Sequence, residues 1–101
     1  MSVHKAFLVR FDALPGQEAR LEAFLVDALA LARDEPRTTC WFALKLGPAS
    51  FGVFDAFADE AGRQAHLEGP IAQALMTQGK TMLARPPQIE PVDVIAAKLA
   101  A

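Results

Sequence analysis

The side chain best suited to move a proton at neutral pH is His66, because an unperturbed imidazole titrates near about pH 6.5. Asp55 is the second candidate. It stands inside the apolar run Phe51-Gly52-Val53-Phe54-Asp55-Ala56-Phe57, where partial desolvation raises a carboxyl pKa and turns the group into a base. Plainer readings compete with both: a helix histidine at a loop or pocket rim, and a carboxylate held in an ion pair by Arg10 or another cation. Trp41 offers either a flat wall for an aromatic substrate, with an indole donor at one edge, or simple packing. Cys40 has no local activating group between Thr39 and Trp41 and reads as an inert buried thiol. His4 and His66 lack carboxylates at ligand spacing, so no metal site is expected. Neither a P-loop nor a Gly-x-Gly-x-x-Gly pattern supplies a phosphate cradle.

These residues sit on elements that the pattern predicts. Residues 3–11 are rich in strand formers, and Leu14-Pro15-Gly16 is turn chemistry. Over residues 17–33, Leu21, Phe24, Leu25, Ala28, Leu29 and Ala32 draw one helical stripe, which Glu35-Pro36 ends. Residues 38–46 and 51–58, joined by Gly47-Pro48-Ala49-Ser50, read as an antiparallel hairpin that carries Trp41 and Asp55. Asp59 is the expected N-cap of a short helix through Leu67, which carries His66. After Gly69-Pro70 a further helix over residues 71–83 is expected. Residues 92–99 read as a last strand starting at Pro91, with a C-terminal helix over residues 94–101 as the alternative. The order is that of an α+β, ferredoxin-like split βαβ domain with an antiparallel sheet.

Composition sets the wider frame. A chain of 101 residues fits a single domain over residues 1–101, and 52% hydrophobic against 22% charged residues supports a packed core. The net charge of -2 offers no field for nucleic-acid phosphates. One cysteine points to a reducing compartment, and the longest apolar run, residues 28–32, is far below the roughly 20 residues of a bilayer span. A cytoplasmic protein with no membrane partner is the expectation.

Phe7, Val9 and Phe11 share one strand parity, as do Phe51, Val53 and Phe57 on the third strand. Small Ala6, Gly52 and Ala56, with Leu8 and Phe54, occupy the other parity and suit close helix approach. The six large residues are therefore expected on the face that the helices leave open, where a second copy would cover them in a barrel-like homodimer. They also line an apolar cavity in this reading, with Trp41 and Arg10 as further substrate contacts and His66 and Asp55 as the proton-handling pair.

The chain resembles the antibiotic biosynthesis monooxygenase-like family of dimeric α+β barrels. The resemblance runs over about residues 3–85, in Phe11-Asp12-Ala13-Leu14-Pro15-Gly16-Gln17-Glu18, Glu35-Pro36, Phe54-Asp55-Ala56-Phe57-Ala58-Asp59-Glu60 and Ala65-His66-Leu67-Glu68-Gly69-Pro70. The chain departs from the family pattern at Arg37, where glycine is frequent, and at Phe57, where tryptophan is. The haem-degrading branch has an asparagine, a tryptophan and an iron-binding histidine. Here Val9 and His66 stand at the first two positions and no downstream histidine exists. What the resemblance implies is a cofactor-independent monooxygenase on a small aromatic, quinol or polyketide-like substrate, needing no metal or flavin. A noncatalytic dimer that binds a small apolar ligand, or an isomerase of a small hydroxyketone, is the alternative.

Overall fold

The computed structural model describes residues 2–100. Strand β1 (Lys5–Asp12) is followed by a turn at Gly16, whose φ of +87° is a left-handed conformation that L side chains resist. Helix α1 (Glu18–Arg33) buries Leu21, Leu25, Ala28 and Ala32, at the expected spacing, while Leu29 of the predicted stripe stays exposed. Strands β2 (Thr38–Lys45) and β3 (Ser50–Phe57) form the hairpin. Asp59 caps α2 (Glu60–Leu67), its carboxylate accepting from the Gly62 amide at 2.9 Å. Pro70 starts α3 (Pro70–Met82), where its missing N–H costs nothing. The four strands form one antiparallel sheet in the order β2-β3-β1-β4, which makes β1 and β3 central and gives the ferredoxin-like α+β fold.

The helices cover the opposite face from the expected one. Phe11, Phe51 and Val53 lie in the main core with Leu21, Leu25, Met82 and Leu83, while Val9 packs against it. Phe7 and Phe57 are buried as well, edge to face at 6.1 Å. The space between a sheet and its helices must be filled to interior density, and large rings fill it where alanine and glycine would leave voids. The small residues take the open face. A Cβ on Gly52 would lie 3.0 Å from the Val9 carbonyl oxygen and 3.3 Å from Leu46, so glycine serves a close hairpin approach rather than a helix. The open face is nonetheless apolar, with Leu8, Phe42, Leu44 and Leu46 exposed.

The last strand also differs. Strand β4 is Gln88–Asp93, antiparallel to β1, and residues 94–99 form neither strand nor helix. Pro91 falls inside β4 opposite Phe7, a position open to proline because β4 is an edge strand with one unpaired side. No helix among the described residues is long and apolar enough to cross a membrane.

Candidate active site

Three elements bring an acid-base cluster together. Asp55 stands in the middle of β3, on the helix-covered face and opposite both Phe7 and Trp41 in register. His66 lies in the last turn of α2, where the helix dipole favours a cation. Glu35 comes from the connection between α1 and β2. Its Oε1 accepts from the Thr38 hydroxyl at 2.7 Å and lies 2.5 Å from His66 Nδ1. On the other side of the ring, Nε2 is 2.9 Å from Asp55 Oδ2. That contact has ion-pair distance but is off the N–H axis, so neither Asp55 oxygen has an aligned donor.

Burial alone would push the imidazole pKa down. The carboxylates of Asp55 and Glu35 outweigh it, and the pKa is pushed up to about 9. At neutral pH the ring is therefore an imidazolium between two carboxylates, with N–H groups on both sides. The His66 side chain is 10% exposed and that of Asp55 only 1%, so the cluster works in a low dielectric. Phe57 seals one flank, its ring centroid 5.3 Å from that of His66.

Asp55 and His66 open onto a chamber of about 60 Å³ between sheet and helices. Phe7, Val9, Phe11, Trp41 and Val53 line it from the sheet, as does Ile89 of β4. Phe24 and Leu25 of α1, Leu67 of α2, and Ile71, Ala72 and Leu75 of α3 complete it. The Trp41 indole Nε1 is buried without an acceptor. An indole donor without an acceptor and a carboxylate without an aligned donor, on paired residues of neighbouring strands, thus line a space that is apolar apart from His66.

Three expected site residues are elsewhere. Phe51 and Phe57 are buried beside the chamber without lining it. Arg10, paired with Gly52 and Gln88, has the strand parity of Leu8 and Asp12, so it lies on the open face and cannot reach Asp55. The partner of Asp55 is His66 instead. Sequence reasoning missed Glu35 as a site residue, because Glu35-Pro36 reads first as a helix stop. Its 31-residue separation from His66 gives no local signal. Among the described residues no group of three histidine, cysteine or acidic side chains is arranged to hold a metal ion.

No protein-family model matches the chain. No curated protein matches it either. Among solved structures, a protein of unknown function from Nitrosomonas europaea is 61% identical, with a TM-score of 0.98 over 99% of this chain and 97% of that one. The two belong to one family. Two further solved structures are named "putative antibiotic biosynthesis monooxygenase". The one from Caulobacter crescentus is 16% identical, with a TM-score of 0.80 over 94% of this chain and 92% of that chain. A second from Nitrosomonas europaea is 13% identical, at 0.81 over 91% and 99%. At these identities the likeness is one of fold.

Proposed function

We propose that this chain, which has the fold of the antibiotic biosynthesis monooxygenase-like proteins, oxygenates a small hydroxylated aromatic, quinol or polyketide-like substrate without a cofactor. The observation that carries this reading is the Asp55 and His66 pair at the wall of an apolar chamber. A substrate hydroxyl donates to Asp55, and the Trp41 N–H meets a carbonyl or second oxygen. Asp55 takes the acidic proton, and the adjacent imidazolium stabilises the resulting anion. The electron-rich anion reduces O₂ directly. For a ring-activated CH₂ that becomes C=O, one oxygen atom enters the substrate and the other leaves as water, so the substrate supplies all the electrons. The outer peroxide oxygen takes the Nε2 proton of His66, which Asp55 restores with the proton it removed; the second C–H proton then leaves as the O–O bond breaks and joins the departing hydroxide as water.

The chamber must enlarge for this. Apolar cavities that take up a benzene ring are about 150 Å³, well above the volume present here. The hydrogen-bonded sheet is the stiff wall. The helix wall, held by side-chain packing at Leu67, Ile71 and Leu75, is the one that yields. The small, mainly apolar chamber also supports a second reading, a noncatalytic protein that binds an apolar ligand. Among the described residues no lysine or arginine lines the chamber, which counts against a phosphorylated hydroxyketone as substrate.

A homodimer completes the proposal. Phe42 is 53% exposed and Leu8 45%, on adjoining parts of the open face, and Ile95 beyond β4 is 94% exposed. A second copy that covers these residues removes a patch otherwise prone to aggregation. Oxygen uptake with a panel of phenols, quinols and anthrone-like compounds tests the enzymatic reading. Turnover that is lost in His66→Ala and Asp55→Asn is expected. Ligand-induced thermal stabilisation with no uptake by any compound would favour the noncatalytic reading.

A further inference from the structure

We infer that Glu35 is the positioning residue that holds the His66 ring by its Nδ1–H and so makes Nε2 the nitrogen that exchanges protons with the chamber. This deepens the proposed function and rests on it for its catalytic consequence. The ring of His66 is a wall shared by two spaces. One is the chamber, which Asp55 lines and Glu35 does not. The other is an open groove of about 400 Å³ on the far side, lined by Glu35, Arg37, Gly69 and Pro70, which Asp55 does not reach. Each ring nitrogen thus has its own carboxylate and its own compartment.

The two contacts are not equivalent. Glu35 Oε1 is fixed by the Thr38 hydroxyl and makes the aligned contact with Nδ1, whereas Asp55 Oδ2 is close to Nε2 but off its axis. When the ring loses one proton, the better-held Nδ1–H stays and the Nε2 proton leaves. A carboxylate that orients an imidazole from behind is the logic of hydrolytic triads, here with the working nitrogen turned to an apolar chamber. The other charged groups near the ring are engaged or remote. Arg37 pairs with Asp59, and Arg63 of the same helix pairs with Glu60 and donates to the Ala6 and Val92 carbonyls. Asp34 lines the groove, α3 brings Ile71 and Ala72 to the chamber, and β1 brings Phe7.

The test is ¹⁵N NMR of the His66 ring from pH 5 to 11 in the parent, Glu35→Ala, Glu35→Asp and Asp55→Asn, with far-UV circular dichroism to check the fold. The parent should pass from a doubly protonated ring to the Nδ1–H tautomer at high pH. Glu35→Ala should titrate about one to three pH units lower and lose that tautomer, with Glu35→Asp restoring it at least in part. Asp55→Asn should also titrate lower but keep the Nδ1–H tautomer. A parent ring that becomes the Nε2–H tautomer overturns the inference, as does an unchanged tautomer in Glu35→Ala. If Glu35→Ala does not fold, the parent and Asp55→Asn spectra still decide it. None of these readouts needs turnover, so a failure of the oxygenase reading is seen separately, in absent oxygen uptake. Where uptake is present, Glu35→Ala should move the pH profile and lower kcat rather than raise KM.

Discussion

The two faces of the sheet are both apolar, yet they are built for different ends. The helix-covered face carries Phe7, Val9, Phe11, Trp41 and Val53, and sets Asp55 among them against His66. The open face carries Leu8, Phe42, Leu44 and Phe54 around small Ala6, Gly52 and Ala56. A buried carboxylate is costly to desolvate, and the covered face holds one because a cation is delivered to it by α2. The exposed apolar patch on the other face has no such chemistry. On the proposed reading it is a surface that a second copy covers.

The largest effect that could break this contrast is on chemistry. Asp55→Asn should cut the rate of oxygen uptake by about 10²- to 10⁴-fold, the usual range for a lost general base, while substitutions at Leu44 leave the rate unchanged. Stability comes next. Phe11→Ala, on the covered face, should cost about 3–5 kcal/mol in urea unfolding. Phe42→Asp, on the open face, should instead turn a dimer into a monomer in sedimentation and leave unfolding independent of protein concentration.

The pH dependence of stability sharpens the contrast further. The imidazole pKa of about 9 in the folded chain lies above the roughly 6.5 of the unfolded one, so between these values only the folded state keeps the proton. The stabilisation is complete below about pH 6.5 and is lost as the pH rises through 9, by at most about 3 kcal/mol, and His66→Gln should abolish the slope. Smallest of all is Trp41→Phe. It removes one indole donor and should weaken ligand binding by about 1 kcal/mol with little change in the unfolding midpoint.

Much of the fold was legible because it is written locally. The stripe from Leu21 to Ala32, the Asp59 cap and the break at Gly69-Pro70 each depend on a few neighbouring residues. The choice of face was not. Alternation assigns Phe7 and Ala6 to opposite sides, but both sides are apolar, and only the volume between sheet and helices decides which set is covered. Pro91 misled for a related reason. The sequence pattern places it at a strand boundary, although an edge strand admits proline within it. At the site, His66 and Asp55 stood out as a titratable group and a carboxylate in an apolar run. Glu35 did not, because its part depends on a ring 31 residues away.

The central claim, that the helix-covered face is where a ligand meets Asp55 and Trp41, can be read from a single NMR signal. The chain has one tryptophan, so its indole Nε1–H gives one cross-peak. Titrated anaerobically with a naphthoquinol, that cross-peak should move downfield as the buried donor gains an acceptor, together with the His66 ring signals. Shifts confined to Leu8, Phe42 and Leu44, with the indole and imidazole unmoved, would contradict the account.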